Sequence, residues 1–214
     1  MLSYYSIKEK VFRIIAFLFG LVTIIAQFVI MIQENGNGDL FATIIRFFSF
    51  MTILSNILTA LVYILPLAAV NSKAGKFFAK PKTQSAVLVY IVVVCLGYHF
   101  LLAKIWKPEG LQYLVDKSLH YFVPVIYLLF YLIFVKKGTL AYNNIFKWLI
   151  FPAIYLVYAI IRGLFTGNYP YPFLDLDKHE VSKVLSIVGV LFLAYTFISL
   201  SVVFYDKTVS KKAS

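Results

Sequence analysis

Six long apolar runs joined by short connections restrict the folds that this chain can adopt. They lie at about 11–32, 40–67, 86–104, 111–136, 147–166 and 182–205. Each is close to the ~20 residues that an α-helix needs to cross ~30 Å of hydrocarbon. Because 62% of the residues are hydrophobic and 14% are charged, a soluble domain of this size would expose too much apolar surface. The sequence predicts an all-α integral membrane protein, a six-transmembrane-helix bundle forming one domain over residues 1–214.

The basic residues predict the orientation of this bundle. Thirteen of the twenty Lys and Arg residues fall in the N-terminal segment, the second and fourth loops and the C-terminal tail. They are Lys8, Lys10, Arg13, Lys73, Lys76, Lys80, Lys82, Lys136, Lys137, Lys147, Lys207, Lys211 and Lys212. Because cytoplasmic loops carry an excess of Lys and Arg, we expect both termini in the cytoplasm. This distribution also explains most of the net charge of +11 without a nucleic-acid partner.

The second apolar run carries a polar stripe. Ser49, Thr52, Asn56, Thr59 and Tyr63 follow one another at steps of three and four, which places them on one face of a helix. In lipid, such a face must contact protein or line a water-filled cavity, because unpaired polar groups there cost free energy. The stripe is therefore either a set of hydrogen bonds between helices or part of a functional site.

Ionisable residues within and beside the runs favour a functional site. With cytoplasmic termini, most of those that do not flank a span fall in the outer half of the bundle: Arg46, His99, Asp116, His120, Arg162, Asp175, Asp177 and His179. An intramembrane charge indicates function by default, although any one of them could be an interfacial anchor. Their convergence from four helices predicts a polar cavity that opens toward the outer leaflet.

His120 has two features expected of a catalytic base. Asp116 lies one helical turn earlier on the same face, where a carboxylate can orient the imidazole. Pro124 lacks an N–H, so the carbonyl of residue 120 loses its helical partner and a kink is expected. The alternatives are a hydrogen-bonded packing histidine and an interfacial Asp116 paired with Lys117.

Cofactor chemistry has weaker support in the sequence. His99 and His120 could be axial ligands of one haem, but membrane bundles that pass electrons through b-type haems usually need four histidines, and this chain has three. The sequence contains no His-Glu-x-x-His, Walker loop or Gly-x-Ser-x-Gly elbow. We therefore predict neither a metal nor a cofactor.

An aromatic, proline-rich segment precedes the last run. Pro152 is expected to kink the fifth helix, and Tyr169-Pro-Tyr-Pro172 is stiff and amphipathic, which suits a membrane surface. The segment is either an aromatic anchor or the rim of the cavity entrance. In the second case Tyr171 would lie at the rim, with Arg162 and Asp175 paired beneath it.

Four motifs in order resemble the bacterial six-span branch of the androgen-induced-protein family. They are Phe50-Met-Thr-Ile-Leu-Ser-Asn56, Leu119-His-Tyr-Phe-Val-Pro124, the helix from Trp148 to Gly163, and Tyr169-Pro-Tyr-Pro-Phe-Leu-Asp175. For animal members, this family implies an intramembrane threonine hydrolase that cleaves fatty acid esters of hydroxy fatty acids. The resemblance places the catalytic threonine at Thr52 and its histidine at His120, in a bacterial plasma membrane. The animal proteins are distant, so the fold transfers more safely than the substrate.

The implied chemistry is consistent with the residue types. A threonine hydroxyl is a weak nucleophile until an adjacent base takes its proton, and His120 could do so and later protonate the leaving alkoxide. An oxyanion needs preorganised donors, for which Asn56, Arg46 and a backbone N–H freed by a kink are candidates. We expect hydrolysis of a membrane lipid ester. A non-catalytic lipid-binding or transport protein of the same fold is the alternative.

A catalytic pair requires the two side chains to lie at similar depth. At ~1.5 Å per residue, Thr52 lies ~18 Å from Leu40, and His120 lies ~14 Å deep if the fourth helix starts near Leu111. This start aligns Tyr113, Asp116, His120, Tyr127 and Tyr131 on one face. We therefore expect a long outer end on that helix, a buried Asp116, and the imidazole within hydrogen-bond reach of the Thr52 hydroxyl.

The orientation can be tested by labelling cysteines in intact bacterial cells. In a chain whose native cysteine is replaced (Cys95→Ser), an impermeant maleimide should label Gly36→Cys in the first loop from outside. It should label Ser72→Cys in the second loop only after permeabilisation, because that loop carries the lysines. Labelling of residue 36 only after permeabilisation would contradict cytoplasmic termini.

Overall fold

The computed structural model describes residues 5–36 and 38–213, with side chains up to Ser210. All regular secondary structure in this part of the chain is helical. The elements are α1 (Ile7–Asn35), α2 (Leu40–Phe48), α3 (Met51–Ala68), α4 (Lys73–Phe78), α5 (Pro81–Gly97), a π-helical turn (Tyr98–Leu102), α6 (Gly110–Lys117), a second π-helical turn (Ser118–Phe122), α7 (Val123–Phe134), α8 (Asn144–Thr166), a 3₁₀ turn (Pro172–Leu174) and α9 (Val181–Ala213).

Six helical stretches among the described residues are long and apolar enough to span a membrane. They are Ile7–Asn35, Met51–Ala68, Pro81–Leu102, Gly110–Phe134, Asn144–Thr166 and Val181–Ser210. The predicted all-α bundle of six helices is therefore confirmed, and the chain is an integral membrane protein. The cytoplasmic location of the termini stays a prediction. The side chains of Lys211 and Lys212, which contribute to that prediction, lie outside the described residues.

The second span differs from the prediction, because the run 40–67 forms two helices rather than one. Ser49 ends α2, and Phe50 adopts an extended backbone (φ −88°, ψ 125°) before α3 begins. No proline or glycine marks this break. Two tyrosines of α8 satisfy the polar groups that it exposes. Tyr155 donates its hydroxyl to the Ser49 carbonyl over 2.9 Å, and the Tyr158 hydroxyl lies 2.6 Å from Ser49 Oγ.

Two π-helical turns widen the third and fourth spans. Tyr98–Leu102 continues α5, and Ser118–Phe122 joins α6 to α7. The irregularity expected at Pro124 takes this second form, since the Val123 N–H bonds to a carbonyl five residues back rather than four. Such turns are frequent at functional sites. The start of the fourth span at Gly110 confirms the predicted extension of that helix at its N-terminal end.

α5 lies at the centre of the bundle. Every residue from Gln84 to Ile91 is buried, and the helix packs against α3, α7, α8 and α9. By contrast, α1, α8 and α9 leave large apolar side chains exposed on their outer faces, among them Ile15, Ile154 and Phe197. Exposed apolar faces of this kind are what helices in contact with lipid require.

A buried ion pair lies at the end of the bundle that carries the termini, where the sequence indicated only a flanking basic residue. Arg13 is 2% exposed and contacts Glu9 at 2.8 Å. Its Nη1 donates to the Val62 carbonyl over 2.7 Å. That carbonyl has no helical partner because Pro66, four residues later, lacks an N–H. The ring of Phe130 lies 4.5 Å from the guanidinium carbon.

The expectation that most of the non-flanking ionisable residues lie in the half of the bundle away from the termini therefore has exceptions. Asp206 is also buried toward the same end as Glu9 and Arg13, and it accepts a hydrogen bond from the Leu140 N–H over 2.9 Å. Burial lowers the pKa of the neighbouring Lys137 to about 8, with the Asp206 carboxylate opposing the shift. Buried charge thus occurs at both ends of the bundle.

Replacing Arg13 tests whether this ion pair stabilises the bundle. Arg13→Ala is expected to destabilise the protein by about 3–5 kcal/mol, because it leaves the Glu9 carboxylate and the Val62 carbonyl buried without partners. Thermal unfolding in detergent micelles measures the loss. Lys8→Ala, which removes an exposed charge from the same turn, is the matched control. Equal melting temperatures for the two variants would contradict the prediction.

Candidate active site

Thr52 lies in the first turn of α3, directly after the break in the second span, and is 6% exposed. The first N–H groups of a helix have no intrahelical acceptor, and the N-cap residue Phe50 offers no side-chain acceptor. The Thr52 N–H instead donates to the Tyr171 hydroxyl over 3.2 Å. The break therefore places the positive end of a helix dipole beside the Thr52 hydroxyl.

The imidazole of His120 contacts that hydroxyl. Thr52 Oγ1 and His120 Nε2 lie 3.2 Å apart, which confirms the predicted contact. On the other side of the ring, Nδ1 faces two atoms of Asp116, the carbonyl oxygen at 2.9 Å and Oδ1 at 3.3 Å. Both atoms are acceptors, so the ring proton is assigned to Nδ1 and the lone pair of Nε2 points at Thr52. This is the orientation that a general base requires.

Asp116 is buried, as predicted, and its second carboxylate oxygen accepts a hydrogen bond from the Tyr98 hydroxyl. The Tyr98 ring also stacks on the His120 imidazole, with centroids 4.0 Å apart. Lys117 reaches Asp116 only through this tyrosine, since its Nζ donates to the Tyr98 hydroxyl over 3.2 Å. Tyr98 was not predicted from the sequence as a site residue, whereas the adjacent His99 was.

Asn56 joins the turn that carries Thr52 to the turn that carries His120. The carbonyl of Leu119 lacks a partner in its own helix. Four residues later, the Val123 N–H bonds to the Ser118 carbonyl, and five residues later, Pro124 has no N–H. Asn56 Nδ2 donates to this carbonyl over 3.3 Å and to the Thr52 carbonyl over 2.8 Å. The amide donors of Asn56 are therefore used for positioning, and the expected oxyanion role does not fit.

Arg46 and His99 do not join the site. Arg46 is exposed on α2, and the break at residues 49–50 lies between it and Thr52. His99 is also exposed, and its Nδ1 lies 3.1 Å from the Tyr121 hydroxyl. Since both nitrogens of His120 already contact protein groups, the two histidines do not form a shared haem site. Ser49 is buried, but its carbonyl and hydroxyl bond to Tyr155 and Tyr158 at the helix break rather than joining the site.

The predicted pair between Arg162 and Asp175 is not formed. Asp175 contacts Lys178, three residues later, at 2.8 Å, whereas Arg162 donates to the carbonyl of Asn168. The hydrogen-bonded Lys178 ammonium holds the pKa of Asp175 below its usual value. Local partners within the loop therefore take the place of the longer-range contact. Asp175 is buried and anchors the loop that carries Tyr171.

A cavity of about 80 Å³ adjoins the Thr52–His120 pair, between α5, α8 and α9. Eighteen of the described residues line it, and twelve of these carry no polar side-chain atom. Those with a polar atom are Thr52, Tyr98, His120, Tyr155, Tyr171 and Tyr195. The expectation of a polar cavity is thus wrong for most of its wall. Of the two alternatives for the segment 169–172, a place beside the cavity fits Tyr171, which lines it. Such a lining suits an apolar chain with one polar group near Thr52.

Comparisons of the chain with protein-family models, with curated proteins and with solved structures find no match. The resemblance to the androgen-induced-protein family therefore stays an expectation. The hydrogen bonds from Thr52 through His120 to Asp116 and the apolar cavity beside them are independent observations on this chain. These two observations support a chemical role for the site.

Substitution of Asn56 tests its role in holding the site together. Asn56→Leu keeps the number and branching of the side-chain heavy atoms but leaves the Leu119 carbonyl unpaired, so we expect a loss of about 1–3 kcal/mol. Thermal unfolding in detergent measures it. Thr59→Val is the control, because the Thr59 hydroxyl bonds only to the Ser55 carbonyl of its own helix. A loss no larger than that of the control would show that the bridge contributes nothing.

Proposed function

We propose that this chain is an intramembrane hydrolase of lipid esters, with Thr52 as nucleophile and His120 as general base. The observation that carries the proposal is the hydrogen-bonded series from Thr52 Oγ1 to His120 Nε2 and from His120 Nδ1 to Asp116. A nucleophile in contact with a base that is itself oriented by a third group is the signature of covalent catalysis. Acyl transfer is the reaction that this geometry supports best.

The reaction has two balanced steps. Thr52 Oγ1 attacks the ester carbonyl carbon while His120 Nε2 takes the hydroxyl proton. The tetrahedral intermediate then collapses, and the imidazolium protonates the leaving alkoxide, which yields an alcohol and an acyl-Thr52 ester. In the second step His120 takes a proton from water as the water attacks this ester. The products are a carboxylic acid and the free Thr52 hydroxyl.

Asp116 stabilises the imidazolium that forms in each step. Its carboxylate oxygen Oδ1 lies 3.3 Å from His120 Nδ1. With Asp116 3% exposed and His120 8% exposed, their attraction is little screened by solvent. The carboxylate also fixes the orientation of the imidazole, and the Tyr98 ring stacks on the face of that imidazole. Asp116 therefore acts as a positioning residue for His120.

The apolar lining favours a substrate with a long hydrocarbon chain. Such an ester would reach the site from the bilayer, with its chain in the cavity and its carbonyl beside Thr52. The resemblance described above suggests a fatty acid ester of a hydroxy fatty acid as the substrate and a bacterial plasma membrane as the location. The distribution of Lys and Arg suggests that both termini are cytoplasmic. These narrower assignments belong to the proposal.

A fluorophosphonate probe tests the nucleophile directly. The wild-type protein should be labelled, Thr52→Ala should not, and His120→Gln should react about 10²–10⁴-fold more slowly because it lacks the base. Gel fluorescence of the purified protein and mass spectrometry of the labelled peptide provide the measurement. Thr59→Val, a change at a buried threonine of the same helix, should be labelled like wild type.

Hydrolysis of a fluorogenic long-chain ester should follow the same order among these variants. If the wild-type protein is neither labelled nor able to turn over any long-chain ester, the proposal fails. That result would favour the non-catalytic lipid-binding or transport alternative. Labelling that persists in Thr52→Ala would instead place the nucleophile elsewhere.

A further inference from the structure

We infer that the hydroxyl of Tyr171 is the oxyanion donor of the site, which makes Tyr171 a catalytic residue. This inference rests on the proposed hydrolase function. The Tyr171 hydroxyl oxygen lies 3.2 Å from the Thr52 nitrogen and 3.2 Å from Thr52 Oγ1. In the tetrahedral intermediate, the oxyanion and Oγ1 are bonded to the same carbon. A donor this close to both atoms of Thr52 is adjacent to the position of the developing charge.

The directions of the hydrogen bonds leave the Tyr171 proton free for this task. The Thr52 N–H donates to the Tyr171 oxygen, and the Thr52 hydroxyl donates to His120 Nε2, whose lone pair faces it. The Tyr171 O–H can therefore donate to Thr52 Oγ1. As negative charge passes from Oγ1 to the former carbonyl oxygen, the same O–H can rotate to follow it, while the Thr52 N–H stays bonded to the Tyr171 oxygen.

Other polar groups near Thr52 are already used. Asn56 gives its amide hydrogens to two carbonyls. Tyr98 donates to Asp116, and Tyr155 donates to the Ser49 carbonyl over 2.9 Å. Of the donors considered from the sequence, a backbone N–H at a helix irregularity is present at Thr52, and it donates to the Tyr171 oxygen. It holds that oxygen beside the site, and the helix dipole of the first turn of α3 favours negative charge at that point.

Tyr171 is held in place by aromatic contacts. Its ring stacks on Phe173, with centroids 5.1 Å apart and planes 6° apart, and meets the edge of Phe50 at 5.9 Å. Burial raises the pKa of the Tyr171 hydroxyl, so the group keeps its proton near neutral pH and remains a donor. A donor fixed before the reaction needs no reorganisation when charge develops.

The loop around Tyr171 is fixed at both ends. Tyr169 packs so closely on α8 that a Cβ at Gly163 would lie 2.1 Å from its ring. At the other end, the Asp175 carboxylate contacts Lys178 and accepts the Asp177 N–H over 3.0 Å. These contacts make the position of the Tyr171 hydroxyl a property of the folded chain rather than of a bound substrate.

The experiment compares Tyr171→Phe with wild type in both labelling and ester hydrolysis. We expect kcat to fall about 10²–10³-fold, the usual effect of removing one oxyanion donor. KM should change far less, because the hydroxyl acts mainly in the transition state. Fluorophosphonate labelling should slow in parallel. Tyr90→Phe, which removes a buried hydroxyl that donates to the distant Trp148 carbonyl, should leave all three quantities near wild type.

A second variant keeps the test valid if Tyr171→Phe does not fold. Incorporation of 3-fluorotyrosine at position 171 preserves the shape but makes the phenol more acidic. Activity should then fall at a lower alkaline pH than in wild type, which a purely structural hydroxyl would not cause. Full or increased kcat in Tyr171→Phe, or an unchanged pH profile, overturns the inference while leaving the hydrolase proposal standing. An inactive, unlabelled wild type refutes the hydrolase proposal itself.

Discussion

Backbone groups that leave the helical ladder inside this bundle bond to side chains of other elements, and the site depends on this constraint. In a dry interior an unpaired carbonyl or N–H is costly. Arg13 of α1 reaches the Val62 carbonyl, and Asn56 of α3 reaches the Leu119 carbonyl. Tyr171 accepts the Thr52 N–H at the start of α3. The bonds of Asn56 and Tyr171 lie beside the proposed nucleophile, Thr52, and hold the neighbouring groups in one geometry.

The parts of the fold that follow from local pattern could be predicted from the sequence. The six spans follow from the lengths of the apolar runs. The start of the fourth span and the contact between Thr52 and His120 follow from the depths of these two residues along their helices. Asp116 was expected in the site because it lies one turn before His120 on the same face. Each of these rests on helical periodicity and rise, which depend little on neighbouring helices.

The parts that depend on neighbouring helices could not be predicted. The break at Ser49 has no proline or glycine, and it forms because Tyr155 and Tyr158 of α8 bond to the polar groups of Ser49. The buried Arg13 could have been found, since Glu9 four residues earlier and Pro66 inside a span were both visible. The place of Tyr98 in the site could not have been predicted, because the π-helical turn determines whether Tyr98 or His99 faces the site.

The placement of charge around the site is consistent with chemistry in a medium of low polarity. Asp116 is nearly inaccessible, yet Lys117 lies within reach through the Tyr98 hydroxyl, over the rings of Tyr98, Tyr113 and Tyr121. A cation held on aromatic faces compensates a buried carboxylate without neutralising it through direct contact. When the imidazolium forms, Asp116 has a second positive partner at 3.3 Å. The negative charge that forms on the substrate then faces the first turn of α3. Each charge that develops in the proposed reaction therefore has an opposite charge or an oriented dipole already in place.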